Sequence, residues 1–422
     1  MEHIVIIADD LTGACDTGIK FRNLGIGTTV FVSSFNPDSL LYAGDPVISI
    51  NTNTRSMAKE NANRMLCKIL YGIRAKGNFF YYKKIDSLLR GNVTHELEAF
   101  FEMLAPEFAL ITPAFPENNR RVAEGMIYTG RKNKPSTPIN ALQLLSDNTI
   151  RKCASIPLQV VRTGWQAIVQ QIQTLRAEGA TLLLADACTE EDLRTIAQVI
   201  RYLGKSCLPV GSAGLARHLA KQLVNELPHE RGFLTRPCKC GVPLIVVGTR
   251  HPRTVEQVQY LKHHAKLQTF LLPVCGITQE NVRSRLDDLF SQMDAAVGAA
   301  CQGILLTSDH VYCGECDCNL VQRNEYNREI LDALSISVEH LYRSRDISGM
   351  IITGGDMSGE VLSRLQLDRI HLCEELLPGV VAGEAEGNTG ERTQLVIKSG
   401  GFGREDTLVR MYDYIACDFS TF

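Results

Sequence analysis

The chain has 422 residues, 45% of them hydrophobic and 22% charged, with a formal net charge of −3. This is the balance of a globular protein, not of a disordered or collagenous one, and it offers no polyelectrolyte attraction for nucleic acid. No stretch approaches the ~20 apolar residues that span a bilayer, so neither a membrane nor a nucleic acid is an expected partner.

The N-terminal run MEHIVIIADD is too short in apolar residues for a secretory leader and meets two aspartates at once, which points to the cytoplasm. Short apolar or β-branched runs then alternate with amphipathic patterns. Strands are predicted at 3–8, 28–33, 46–51, 79–85, 108–112, 156–161 and 181–186, each a nearly continuous run of the kind buried on both faces. Helices are predicted at 14–24, 57–75, 94–104, 165–178, 190–203 and 213–225. Near residues 226–241 prolines, glycines and charges interrupt the rhythm. The expected organisation is an N-terminal domain over 1–228, a linker over 229–241 and a C-terminal domain over 242–422. The second half restarts with strands at 243–248, 267–274, 303–308, 349–353 and 393–398, and helices at 253–264, 279–299, 326–342, 358–365 and 405–415. Segment 379–392, rich in Gly and Glu, reads as a flexible loop. The fold class is therefore α/β, with two domains that are each a mostly parallel sheet flanked by helices.

In such sheets ligands gather at the carboxyl ends of the strands, and those junctions hold most of the unusual residues. The first strand ends in Asp9-Asp10-Leu11-Thr12-Gly13. Adjacent carboxylates accept hydrogen bonds from a polyol or hold Mg²⁺ through water; Asp10 or Thr12 equally suits a helix cap. Arg55 follows the third strand, where its planar fork matches a carboxylate or a surface ion pair. After the fourth strand come Lys83, Lys84, Asp86, Ser87 and Arg90. These cations suit a substrate carboxylate and a moving phosphoryl group, and Asp86 or one of Asp9 and Asp10 suits the role of orienting or deprotonating a hydroxyl. The segment 113–121 reads as a substrate loop or a basic surface loop, and 210–216 as a tight strand-to-helix junction whose free amides attract anions.

Three junctions in the second half carry glycine: Gly248-Thr249 with His251, Gly354-Gly355-Asp356-Met357, and Gly400-Gly401-Phe402-Gly403. Glycine lets backbone N–H groups approach phosphate oxygens, and three such loops in one domain read as a nucleotide site. The P-loop pattern is absent, and no G-x-G-x-x-G follows the first strand of either half. Fourteen cysteines are scattered through the chain, Cys67 and Cys301 in apolar runs among them, and are expected as thiols. Cys313, Cys316 and Cys318, even with His310, lack the spacing of a finger, so no protein metal site is expected.

Taken in order, ADDLTGACDTG, NTNTR, KKIDSLLRGN, GSAGLA, ITGGDMSGEVL and IKSGGFGREDTL resemble the four-carbon acid sugar kinase family over nearly the whole chain. The resemblance implies transfer of phosphate from ATP, with Mg²⁺, to a threonate, erythronate or 3-oxo-tetronate type of acid. It implies that the first domain binds the acid, through Asp9, Asp10, Arg55 and the Lys83–Ser87 run, and that the second binds ATP through its three loops. Domain closure and a homodimer are compatible with it. The chain departs from the family's pattern at Leu88, where a threonine is usual, at His251, where a serine is usual, and over the basic segment 131–138, where His and Glu are usual. The alternatives weighed are a non-catalytic sugar-acid or nucleotide sensor of the same fold and a dinucleotide-dependent oxidoreductase; the absent glycine fingerprint argues against the latter.

Overall fold

The computed structural model of the chain describes residues 3–32, 37–38, 44–130, 137–229, 240–249, 251–274, 281–296, 301–308 and 323–416. Most of the expected linker, most of the basic segment 131–138 and the Cys313, Cys316 and Cys318 cluster lie outside the described residues. The chain divides into two units, Met1–Arg231 and Gly232–Phe422.

The first unit contains β1 (Ile4–Ala8), α1 (Leu11–Arg22), β2 (Thr28–Phe31), β3 (Val47–Asn51), α2 (Lys59–Arg74), β4 (Phe80–Lys84), α3 (Val93–Leu104) and β5 (Phe108–Thr112). It continues with β6 (Arg120–Ala123), β7 (Met126–Thr129), β8 (Ile139–Asn140), α4 (Ala141–Ser146), β9 (Cys153–Ile156), α5 (Leu158–Thr163), α6 (Trp165–Ala177), β10 (Leu182–Ala185), α7 (Glu190–Leu203), β11 (Cys207–Gly211) and α8 (Ala213–Leu223). The main sheet runs β2-β3-β1-β4-β11-β5-β10-β9, and every pairing in that order is parallel. The apolar runs make this possible: all five residues of β1 are sealed from solvent, as a strand covered on both faces must be. The helices pack by their apolar stripes, as with Ala62, Leu66, Leu70 and Ile73 of α2 against α3. A reciprocal Thr189–Asp192 capping box starts α7, and Ser212 caps α8.

Three expectations are corrected in this unit. The strand predicted at 156–161 ends at Ile156, because Pro157 opens α5 with its fixed φ of −68°. Cys207–Gly211, of which only the end was read, within the 210–216 strand-to-helix junction, is an interior strand in spite of Pro209. Its pairing to β4 begins at Val210, so on that side the proline's missing N–H breaks no ladder bond. The loop read at 113–121 gives way already at Arg120 to β6, which with β7 and β8 forms a small antiparallel sheet.

The second unit contains β12 (Val242–Val247), α9 (Pro252–His264), β13 (Leu267–Leu272), α10 (Val282–Ala295), β14 (Gly303–Ser308), α11 (Arg323–Ser344), β15 (Ile347–Thr353), α12 (Gly355–Arg364), β16 (Arg369–Leu377), β17 (Val380–Glu386), β18 (Arg392–Lys398) and α13 (Thr407–Ala416). Its order is β13-β14-β12-β15-β18-β17-β16, parallel as far as β18 and antiparallel beyond. The loop predicted at 379–392 is in large part β17, buried along its whole length between β16 and β18. Its glutamates are tolerated there because Arg392 reaches Glu384 at 3.2 Å and Arg369 reaches Glu386 at 2.7 Å. No helix among the described residues is long and apolar enough to cross a membrane.

Candidate functional site

Register brings the candidate residues of the first unit to one edge. Ala8 stands level with Asn51 and Lys84, Lys84 with Gly211, and Gly211 with Thr112. The strands end together, and the segments leaving them emerge on the same rim. From β1 the chain runs outward to β2 and β3, then returns to the other side as β4. That reversal is a topological switch point, where such sheets take ligands, and Asp9-Asp10 and the 85–91 segment follow the two strands on either side of it.

Arg55 is not free to take a substrate carboxylate. Its Nε donates to Asp9 Oδ2 and its Nη2 to Asp9 Oδ1, both at 2.8 Å. Its Nη1 and Nη2 also donate to Asp10 Oδ2 and Oδ1, again at 2.8 Å. The expected carboxylate grip is thus taken by the protein's own carboxylates, and Arg55 is the clamp that lets two buried aspartates stand side by side. Burial alone would raise the Asp9 pKa, but Arg55, with Lys83 and Lys84 nearby, outweighs it and holds the group below the usual range. Asp10 also caps α1, accepting from Gly13 N at 3.1 Å and Thr12 Oγ1 at 2.7 Å. With these and the Arg55 donors its oxygens are filled, whereas Asp9, among the described residues, accepts side-chain bonds from Arg55 alone.

Lys83 is the second correction. It is fully buried, and its Nζ lies 2.6 Å from Glu96 of α3 and 3.1 Å from Lys84 O. Glu96 also accepts from Thr54 Oγ1, Thr54 from or to Thr52, and Thr52 bonds Ala8 O at 2.9 Å. Lys83 therefore ties α3 to the ends of β1 and β3 and cannot reach a ligand. Lys84 points to the other face of the pleat. Its ammonium is close enough to α1 that a Cβ on Gly13 would stand 3.0 Å from it, and among the described residues it has no hydrogen-bond or ion-pair partner.

Asp86 is held as a carboxylate by Arg90, at 2.9 Å from Nε and 2.7 Å from Nη2, with Leu88 N at 2.9 Å. Burial opposes the charge, but Arg90 prevails and the pKa falls to about 2. Oδ1 still has room for a hydroxyl donor. Ser87 is half-buried without a side-chain partner among the described residues. Arg120, which sequence reading held only as part of the 113–121 loop, has its charge penalised by partial burial and feels both Asp86 and Arg90; it too has no hydrogen-bond or ion-pair partner among the described residues. Only the third dimension brings β6 beside the 85–91 segment. Gly91, at φ +93°, seats the segment against Asp9: a Cβ there would lie 2.8 Å from Oδ2.

The second unit repeats the device. Val247 is level with Thr307 and Thr353, and Thr353 with Lys398. The three glycine loops therefore leave one rim, around the point where the chain, after β13 and β14, crosses β12 to reach β15. They touch closely enough to exclude side chains: a Cβ on Gly248 would stand 2.7 Å from Met357, one on Gly400 2.6 Å from Thr249 Oγ1, and one on Gly401 3.2 Å from His251 Nε2. Gly354 and Gly403 adopt φ of +100° and +90°. His251 does the work of a serine at a helix start, since its Nδ1 accepts from Arg253 N at 3.2 Å while Thr249 Oγ1 accepts from His251 N at 3.2 Å. Asp356 lies exposed in the first turn of α12 without a side-chain partner among the described residues. Among those residues no group of three or more His, Cys, Asp or Glu is arranged to hold a metal ion by itself.

The chain is thus a two-unit α/β protein with a charged, hydroxyl-bearing edge in one unit and a glycine-rich edge in the other. Family comparison gives the same division: residues 4–219 match the model of a sugar-binding N-terminal domain and residues 244–408 that of a nucleotide-binding C-terminal domain. The chain belongs to the four-carbon acid sugar kinase family. It is 28% identical to a D-threonate kinase of Bordetella bronchiseptica, across 97% of this chain and 96% of that one. It is 24% identical to a D-erythronate kinase of Heliobacterium modesticaldum, across 100% and 98%. The fold is shared with a solved Salmonella typhimurium structure described as a putative tRNA synthase, at a TM-score of 0.74 and 22% identity over 97% of this chain and 98% of that one.

Proposed function

We propose that this chain is an ATP-dependent kinase that phosphorylates a hydroxyl of a four-carbon sugar acid of threonate, erythronate or 3-oxo-tetronate type. The observation that carries the reading is a division of labour at the first unit's edge. Arg55 pairs with both Asp9 and Asp10, while Lys84, which supports their remaining charge from a distance, and Arg120 have no hydrogen-bond or ion-pair partner of their own among the described residues, beside a rim of hydroxyl acceptors. A short polyhydroxy acid presents that pairing in reverse, one carboxylate among several hydroxyls. The relatives that act on such acids match the chain over nearly its full length, which supports the same substrate class.

In this reading Lys84, Arg90 and Arg120 offset the acid's carboxylate and the incoming phosphoryl charge. Asp9, Thr12 and Ser87 accept or donate hydrogen bonds to its hydroxyls. Asp86, with a pKa of about 2, is a weak base, so its role is to orient the attacking hydroxyl; a loose phosphoryl transition state needs little more. Asp10 keeps α1 and Arg55 in place. ATP lies on the loops at Gly248–Thr249, His251, Gly354–Met357 and Gly400–Gly403. Mg²⁺ would enter with the nucleotide, held by phosphates and water with Asp356 as the protein carboxylate, and would supply charge neutralisation.

The test is purified protein with ATP·Mg²⁺ and a panel of D- and L-threonate, erythronate and 3-oxo-tetronate. ADP release that depends on one of these acids is the expected result. Folded protein that binds both ATP and an acid yet forms no ADP would replace the kinase by a sensor.

A further inference from the structure

Lys398, at the end of β18, is fully buried, yet it is no conventional core residue. Its ammonium lies 3.1 Å from Thr254 Oγ1, Ser399 O and Gly400 O and 3.2 Å from Phe402 O. Thr254 Oγ1 in turn donates to Gly400 O at 2.6 Å, and Gln257 Nε2 to Phe402 O at 3.1 Å and Arg404 O at 2.6 Å. A cation and two α9 side chains thus draw the carbonyls of one glycine loop inward.

A trans peptide points its C=O and N–H in opposite directions. With the carbonyls of Ser399, Gly400 and Phe402 turned toward Lys398, the amides of Gly400, Gly401 and Gly403 face the other way. Among the described residues those three amides have no protein acceptor. A run of outward amides backed by a buried positive charge is a cradle for an anion.

We propose that Lys398 is the positioning residue of the nucleotide's phosphate cradle, holding loop 399–403 in the one conformation that presents its amides to phosphate oxygens. The proposal rests on the nucleotide reading above and adds a residue that never touches the nucleotide. Burial pushes the Lys398 amine down to about 8, so its hold on the loop weakens in mildly alkaline solution. The groups around it are Thr254 and Gln257 of α9, with Thr353 of β15 and Val380 of β17 beside it in register. The titratable side chains of the adjoining loops are His251 beside Gly401, and, following the loop in sequence, Arg404, Glu405 and Asp406, the last paired with Arg410.

The experiment compares binding of ATP and of adenosine, which lacks phosphates, by wild type, Lys398→Met and Thr254→Val. The expected result is that Lys398→Met binds adenosine like wild type but ATP about tenfold more weakly or worse, with Thr254→Val between them. Unchanged ATP binding, or an equal loss of ATP and adenosine, would overturn the proposal. Should Lys398→Met fail to fold, Thr254→Val and the wild type's pH series decide. The ATP-to-adenosine affinity ratio should fall as pH rises from 7 to 9.5, and a flat ratio with an unaffected Thr254→Val refutes the role of Lys398. Wild type that binds adenosine or ATP at no pH would instead refute the nucleotide reading.

Discussion

At the scale of single residues, two adjacent lysines have opposite fates. Lys83 and Lys84 are neighbours in sequence, but the pleat sends one toward α3 and the other toward α1. Replacing Glu96 by Gln strands the Lys83 ammonium in a sealed site, and such a broken buried pair typically costs about 3–5 kcal/mol; thermal melting should show the loss directly. Lys84→Met makes the contrasting case. Melting should fall less than with Glu96→Gln, since Arg55 still holds the aspartates, while KM for the sugar acid rises by about tenfold or more, and steady-state kinetics with saturating ATP would reveal it. Gly91→Ala forces a Cβ against Asp9 at a backbone φ that only glycine adopts easily. That change should lower both melting temperature and kcat/KM, because it pushes Asp9 away from Arg55.

At the scale of elements, what the sequence revealed and what it hid have physical causes. The doubly buried strands were legible because unbroken apolar runs leave few other solutions. β17 was not, because glycine and glutamate normally signal a loop, and it takes partners on β16 and β18, Arg369, His371 and Arg392, to make those glutamates acceptable inside a sheet. β11 was obscured by Pro209, harmless only because β4 pairs from Val210 onward. The candidate sites were legible as positions, since strand ends in a parallel sheet collect ligands. Partners were not: nothing local says that Arg55 will be taken by Asp9 and Asp10, or that Arg120 will come near Asp86. One cap makes the element scale measurable. Ser212 Oγ accepts from Gly214 N at 3.1 Å and donates to Ala114 O at 2.6 Å. Ser212→Ala should therefore cost about 1–2 kcal/mol, read as a shift in the denaturation midpoint.

At the scale of the whole molecule, the two units answer pH with the same sign but in different windows, each gaining stability as pH rises. The folded pKa of Asp86 is depressed from 3.8 to about 2, so its contribution is complete above the unfolded value and disappears as pH falls from about 4 toward 2. Allowing for the exposure of Arg90, this is on the order of 1–2 kcal/mol, and Asp86→Asn should flatten that part of the acid melting curve. Lys398 is also depressed, from 10.5 to about 8. For an amine that means the unfolded chain binds the proton more tightly, so this group adds stability as pH rises through about 8 to 10, even while its grip on the glycine loop is lost. Both Lys83 and Lys398 are wholly inaccessible in the native fold, and each belongs to a different unit. An amine-directed acylating reagent should therefore modify Lys83 only when the first unit opens and Lys398 only when the second does. Peptide-resolved mass spectrometry of the two acylation rates would time the opening of each half within one intact chain, read from two native side chains.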